Sequence, residues 1–168
     1  TPETTTEPTS KPAAAETGPL YTYSHRYAQD VVYDVMPAFN DQLDHIGTNV
    51  YKNDLNAGQV SLFYSCDDCC IADPYVTSDA VYLLTYNRDR DNKIIALSPD
   101  GTKTHEIPFD PYASTVVLYS DRYFYCMDGL APYDTASGFR LDLQTGETTP
   151  GTCPLRQPPH RMPPVILP

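Results

Sequence analysis

The chain has 168 residues, of which 40% are hydrophobic and 20% charged, so it can form one domain with a buried core and flanking tails. Its formal net charge of −11 argues against a nucleic-acid binder, because such proteins present clustered Lys and Arg to the phosphate backbone. It has no run of about twenty apolar residues, so the sequence predicts no transmembrane segment.

The segment 1–19 is dominated by Thr, Pro, Glu and Ala and has no aliphatic side chain larger than Ala. Such a stretch buries too little apolar surface to offset the entropy lost on ordering, and its Pro residues favour an extended chain. We predict a disordered spacer that holds the following domain away from a surface. An unstructured terminus without a role is the alternative.

The segment 20–46 fits two structures. A helix would place five apolar side chains on one face: Tyr27, Val31, Val32, Val35 and Phe39. Ser24 could cap that helix, but Pro37 argues against its continuing so far. A pair of strands, Leu20–Tyr23 and Val31–Val35, fits nearly as well. We therefore predict an irregular or helical segment that could cover the domain after it.

From residue 59 onward, short runs of β-forming residues alternate with turn signals. The predicted strands are Val60–Tyr64, Ala80–Tyr86, Lys93–Leu97, Lys103–Ile107, Thr115–Tyr119, Tyr123–Met127, Phe139–Leu143 and Glu147–Thr149. Ser98-Pro-Asp-Gly101 predicts a tight turn after Leu97, because Pro presets φ and Gly accepts a positive φ.

This series of strands recurs along the chain. Ser78-Asp79 precedes one strand as Ser120-Asp121 precedes its counterpart, and Gly101 corresponds to Gly146 after a small shift that loop variation explains. A unit of four short strands repeated at about forty to fifty residues is typical of a propeller blade. We predict an all-β domain over 47–150 with about two four-stranded propeller-like blades, which makes it a partial or fragment β-propeller.

Three stretches carry a resemblance to a known family: Gly47–Gly58, Asp79–Tyr82 and Lys93–Gly101. They resemble the opening of secreted bacterial propeller-like lipoproteins, a domain of unknown function that is distantly similar to the YWTD propellers of lipoprotein receptors. The resemblance covers residues 47–150. It implies an extracytoplasmic repeat scaffold, secreted or anchored at a bacterial cell surface, and supplies no catalytic residues. The chain departs from the family in size, because closed propellers need about four or more blades.

Two blades cannot close a ring, so we expect apolar surface to stay open on the outer blade faces. The residues concerned are Val81, Leu83, Val117, Tyr119, Phe124 and Leu141. An open strand edge adds a template for pairing with another chain. We therefore expect self-association through that edge, coverage by segment 20–46, or low stability. The tail over 151–168 is rich in Pro, locally basic at Arg156, His160 and Arg161, and predicted to be disordered.

Five cysteines are present, and three of them cluster in Cys66-Asp-Asp-Cys69-Cys70. A disulfide within this cluster suits the predicted secreted character and leaves one of the five unpaired. The Cys66/Cys69 pair could instead supply half of a zinc site, whose other half would come from Cys126, Cys153 or a His. Free thiols are the remaining alternative.

The run from Asn87 to Asn92 places oxygen ligands at alternate positions, as calcium loops do, through Asp89 and Asp91. The sixth position is Asn92 rather than Gly, and the twelfth is Ser98 rather than Glu, so a polar connection between two strands is the simpler interpretation.

The other polar residues give no catalytic pattern. The histidines are scattered at 25, 45, 105 and 160, and His105 beside Glu106 is expected to be solvated on an edge strand. Ser65 and Ser120 lack the context of a nucleophile elbow, and no glycine-rich phosphate loop occurs. We predict no catalytic, cofactor or metal site.

The sequence favours a non-enzymatic extracellular scaffold or binding module. Its ligand would be a protein or a surface glycan, met by loops and by some of the 14 Tyr side chains. Two alternatives remain open. Two close carboxylates in one pocket would favour a secreted glycan-active hydrolase with its carboxylates on blade loops, and an unpaired apolar sheet face would favour a structural fragment of a larger propeller.

Overall fold

The computed structural model describes residues 27–28, 30–72, 74–87, 89, 91–110, 114–128 and 138–151. The predicted spacer over 1–19, the alternative strand Leu20–Tyr23 and the predicted tail beyond Gly151 lie outside these residues.

Where the chain is described, it forms strands and no helix, so it contains no helix that could cross a membrane. The strands are β1 Tyr27–Ala28, β2 Val31–Phe39, β3 His45–Asp54, β4 Gln59–Asp67, β5 Cys69–Ile71, β6 Tyr75–Val76, β7 Val81–Asn87, β8 Lys93–Leu97, β9 Lys103–Pro108, β10 Ser114–Tyr119, β11 Tyr123–Asp128, β12 Gly138–Asp142 and β13 Thr148–Gly151. The prediction of an all-β chain is confirmed.

The strands form three antiparallel sheets, and each sheet follows the order of the chain. The first sheet is β1-β2-β3-β4, and the third is β10-β11-β12-β13. The second is β5-β7-β8-β9, with β6 also paired to β7. About two four-stranded units were expected, and the structure has three four-stranded runs. The predicted strand Val60–Tyr64 lies within β4, and it therefore ends the first sheet instead of opening the second.

The helical alternative for segment 20–46 is wrong over Val31–Phe39. This stretch is β2, and it pairs with β3 along its whole length. Tyr33 is buried on the inner side of β2, where its ring meets that of Phe63 with centroids 4.8 Å apart. Pro37 lies beyond the two residues that pair with β1, a position close to an open edge where a strand tolerates Pro.

The second sheet is the middle layer of the described structure, because both of its faces are buried. One set of alternating side chains packs against Tyr33 and Val50 of the first sheet: Val81, Leu83, Ile95 and Leu97. The other set packs against Tyr119, Phe124 and Leu141 of the third sheet: Tyr82, Leu84, Ile94 and Ala96. Because successive side chains of a strand point to opposite faces, β7 and β8 contribute to two separate cores.

The expectation of exposed apolar residues in the repeats is wrong for five of the six named side chains. Those of Val81, Leu83, Tyr119, Phe124 and Leu141 are at most 2% exposed. The reason is the extra sheet: residues 31–67 cover the face of the second sheet that a two-unit domain would leave open, and the third sheet covers the other face.

The predicted turn at Ser98–Gly101 is present between β8 and β9. The amide of Gly101 donates to the carbonyl of Ser98 at 2.9 Å, and Gly101 has a φ of +89°. The Asp100 carboxylate accepts hydrogen bonds from the Ser98 hydroxyl and the Thr102 amide, and these bonds lower its pKa to about 2.

This lowered pKa predicts an acid-sensitive turn. The folded-state pKa of Asp100 lies below its ordinary value of 3.8, so the carboxylate's contribution to stability is complete above that pH and is lost as the pH falls towards 2. A carboxyl titration followed by NMR should place the Asp100 midpoint near 2. Asp100→Asn should remove this part of the pH dependence. A midpoint near the ordinary value would contradict the hydrogen-bonded turn.

Candidate functional site

A cleft of about 690 Å³ opens at the end of the molecule where the first and second sheets meet. Three connections build it: the β2–β3 turn, the β4–β5 connection, and the β7–β8 hairpin. Its lining residues are Asp44, His45, Cys66, Asp67, Asp68, Cys69, Thr85, Asn87, Asp89, Asp91, Lys93 and Ile95. The cleft thus brings together the cysteine cluster and the Asn87–Asn92 run, two features that lie apart in the chain.

A disulfide between Cys66 and Cys69 fixes the crossing from the first sheet to the second, with Cα atoms 5.9 Å apart. The crossing is also held by hydrogen bonds to the first sheet. The Thr48 hydroxyl donates to the Cys69 carbonyl at 2.8 Å, and the Asp68 amide donates to the Ile46 carbonyl at 3.0 Å. The predicted disulfide in this cluster is confirmed.

The disulfide removes the two thiolates that the zinc alternative needed. Cys70 follows as an exposed free thiol, and its Sγ lies 3.9 Å from Nε2 of His45. Cys126 is buried in the core between the second and third sheets, and Cys153 lies outside the described residues. Near the cleft, two cysteines therefore form the disulfide at the crossing between the sheets, and the third, Cys70, is a free thiol at the surface.

Breaking the disulfide is expected to lower the free energy of unfolding by about 2 kcal/mol, since a bridge across so short a loop removes little chain entropy from the unfolded state. The variant is Cys66→Ser with Cys69→Ser, measured by chemical denaturation. In native protein without reductant, an alkylating reagent should modify Cys70 and leave Cys66 and Cys69 unmodified in the mass spectrum. Alkylation of all three would contradict the pairing.

The Asn87–Asn92 run forms the β7–β8 connection, and its Asn residues hold it together. Asn92 is only 7% exposed, and its Oδ1 accepts the amide N–H of Asn87 at 3.0 Å. The side-chain amide of Asn87 donates to the carbonyl of Asp91 at 3.2 Å. Among the described residues, no group of three or more His, Cys, Asp or Glu could hold a metal ion. The hydrogen bonds of Asn87 and Asn92 are those of a polar connection between two strands.

One polar atom at the cleft lacks a partner. The Oδ1 atom of Asn87 is buried and receives no hydrogen bond in the described part of the chain. A buried acceptor without a donor costs roughly 1–3 kcal/mol.

The charge of the cleft is mainly negative. Five aspartates line it, all with exposed side chains: Asp44, Asp67, Asp68, Asp89 and Asp91. Among the described residues of the lining, the side chain that carries a full positive charge is that of Lys93, and its ammonium is engaged with Glu106 at 2.9 Å and with Asp91 at 3.8 Å. The hydrogen bond to Glu106 raises the pKa of Lys93, while hydrogen bonds from Lys103 and Lys93 lower the pKa of Glu106.

The other polar candidates have structural roles. The expectation that His105 is solvated is wrong: Nε2 donates to the carbonyl of Leu143 at 2.7 Å, which ties β9 of the second sheet to the turn after β12. Ser65 donates to Asn49 Oδ1 at 2.8 Å, and the Ser120 hydroxyl accepts the amide of Tyr123 at 3.1 Å. His25 and His160 lie outside the described residues.

No protein-family model, curated protein or solved structure matches this chain. The resemblance to propeller-like lipoproteins therefore stays a prediction.

Proposed function

We propose that this chain is a non-enzymatic, extracytoplasmic scaffold and binding module made of three propeller-like units. The observation that carries the proposal is the packing order: each sheet is an antiparallel run in chain order, and the next sheet of the chain stacks on its face. Blades of a propeller are arranged in this way. The disulfide at the crossing suits an oxidising compartment.

Matched turns support the view that the units are related. The amide of Thr77 donates to the carbonyl of Ala80 at 2.9 Å, and the hydroxyl of Thr77 accepts the amide of Ala80 at 3.1 Å. Ser120 makes the same two bonds with Tyr123 at the same two distances. Both turns precede the strand that lies second in its sheet's four-strand path.

The hairpins between the last two strands of each sheet agree as well. Each contains one glycine with a positive φ: Gly58 at +62°, Gly101 at +89° and Gly146 at +73°. These glycines follow one another at nearly even spacing along the chain. The last hairpin of the first sheet thus has a glycine with positive φ, as the last hairpins of the other two sheets do. This agreement favours three equivalent units.

The ligand site of the proposed module is the cleft. Its volume falls within the range of about 300–1,000 Å³ that ligand pockets occupy. The five exposed aspartates among its described residues attract cations, while Lys93 is already engaged with Glu106. The protein ligand that suits it best is therefore a basic segment of a partner.

The hydrolase alternative finds less support at the cleft. A general acid for glycoside cleavage needs a carboxyl group whose pKa is raised, usually by an apolar enclosure. All five cleft aspartates are exposed instead. The fragment alternative has one observation in its favour, which is the apolar outer face of the first sheet, where Met36, Val60 and Leu62 are each more than half exposed.

The binding proposal is tested by titrating isotope-labelled protein with a hexalysine peptide, with hexaglutamate and with a neutral oligosaccharide as comparisons. Hexalysine should bind saturably, shift amide signals of the cleft, and bind more weakly as salt is added. Asp67→Asn combined with Asp89→Asn should weaken binding roughly three- to tenfold. The matched control is Asp79→Asn, an exposed aspartate outside the cleft. An equal loss in that control, or no saturation, would refute the cleft as a site for cations.

A further inference from the structure

The outer face of the first sheet exposes large apolar side chains beside the polar Asn49 and Asn53. The register pairs Met36 with Asn49, Tyr51 with Leu62 and Asn53 with Val60, and this set alternates with the buried Val50. It therefore lies on the side turned away from the second sheet. Met36 is 54% exposed, Val60 69% and Leu62 58%. A row of large apolar side chains on one sheet face marks an interaction surface.

The outer face of the third sheet carries Tyr, Met and Arg side chains, which differ from the aliphatic side chains on the outer face of the first sheet. Phe124 and Cys126 point into the core with the second sheet, so Tyr123, Tyr125 and Met127 alternate onto the opposite face. Arg140, paired with Tyr125, lies on this same face, and its guanidinium stacks over the Tyr123 ring at 4.3 Å. Tyr, Met and Arg are the side chains enriched at the centres of protein interfaces.

The first-sheet face carries Asp34, whose carboxylate accepts a hydrogen bond from Asn53. The third-sheet face carries the Arg140 guanidinium, as well as Asp142, which is paired with Arg122. A contact between Asp34 and Arg140 would match opposite charges across the two outer faces. They are also the two ends of one stack, whose two internal junctions are already built from alternating apolar side chains of consecutive sheets. A junction between the ends would continue that packing.

We propose that two copies of this chain associate head to tail, with the outer face of the first sheet of each copy against the outer face of the third sheet of the other. The result is a closed ring of six sheets, which lies within the size range of about 4–8 for propellers. This inference rests on the proposed function, because it needs the sheets to stack as propeller-like units.

The area that the two junctions would bury is large enough for a stable dimer. A four-stranded face about 19 Å wide and about 18 Å long covers roughly 350 Å². Two junctions bury four such faces, or roughly 1,400 Å², within the range of about 1,200–2,000 Å² for specific interfaces. A single junction would bury roughly half of that, so the closed ring is the favoured arrangement.

Light scattering coupled to size exclusion tests the proposal on the full chain. The expected mass is twice the 18.7 kDa of the chain. Leu62→Asp and Arg140→Glu should each weaken dimerisation at least tenfold. The matched control is Leu55→Asp, because Leu55 is 64% exposed but lies in the β3–β4 turn away from the sheet face, and this variant should stay dimeric. Circular dichroism and thermal melts establish that each variant is folded, and Val60→Asp replaces any that is not.

Mixing the variants tests the head-to-tail arrangement. In a one-to-one complex of Leu62→Asp with Arg140→Glu, one junction is intact and the other carries both changes. The mixture should therefore associate more tightly than either variant alone and more weakly than the parent chain. A dimer unaffected by Arg140→Glu would mean pairing of two first sheets and would overturn the arrangement. A monomeric parent chain or open-ended oligomers would overturn the ring. The hexalysine titration repeated on monomeric Leu62→Asp separates the two proposals, since the cleft should still bind there.

Discussion

Replacing Leu83 with Ala is expected to lower the free energy of unfolding by about 2–5 kcal/mol. Leu83 lies in β7 of the middle sheet, is fully buried, and packs in the core that the second sheet shares with Tyr33 and Val50 of the first. The truncation removes apolar contacts and leaves a cavity that two rigid sheets cannot easily close. Urea denaturation monitored by Tyr fluorescence and circular dichroism gives the value.

The control for this prediction is Leu55→Ala. Leu55 is 64% exposed in the β3–β4 turn, so its truncation should change stability by no more than about 0.5 kcal/mol. Equal losses in the two variants would mean that the second sheet is not enclosed by the first.

Gly47→Ala is expected to cost about 3 kcal/mol or to prevent folding. Gly47 lies in β3 with a φ of +156°, and an added Cβ would stand 2.3 Å from the carbonyl oxygen of Cys66. The obstructing atom belongs to the backbone of β4, which is tied into the sheet and, through Cys66, to the disulfide. Relief would therefore require the strand and the crossing below the cleft to move.

A matched glycine separates this clash from backbone strain alone. Gly58 has a φ of +62°, but a Cβ there would meet nothing within 4 Å. Gly58→Ala should therefore lower the free energy of unfolding only by the strain of a left-handed backbone at Ala, about 1–2 kcal/mol. Thermal melts of both variants provide the comparison, and a Gly47→Ala variant as stable as Gly58→Ala would show that β3 and β4 are not so closely apposed.

The strands from β7 to β13 were predictable because they are short and bounded by strong local signals, whereas β5 and β6 of the second sheet were not predicted. Lys93–Leu97 is predicted with the bounds that the structure has, since Pro99-Asp100-Gly101 ends it and charged residues precede it. The repeat from Gly101 to Gly146 follows from the same hairpin chemistry. These features depend on residues close together in the chain, which is what a single sequence reports best.

The first sheet was harder to predict because its strands depend on partners distant in the chain. Val31, Val32 and Val35 suit a helix face as well as a strand, and only pairing with β3 decides between them. Gly58 could have predicted the β3–β4 hairpin and with it a third unit, because it precedes Gly101 by nearly the interval that separates Gly101 from Gly146. The cleft could not be foreseen, because Asp44, Asp67 and Asp89 approach one another only after two sheets have packed.

Amide hydrogen exchange tests most directly whether the second sheet is the shared middle layer. The amides of β7 and β8 have protected sheets on both sides and should exchange slowest in the molecule. In the monomeric Arg140→Glu variant, whose first sheet is unchanged, the amides of β2 and β4 should exchange faster, because one side of that sheet is open there. The reverse order, with β2 and β4 more protected than β7 and β8, would contradict the three-layer stack.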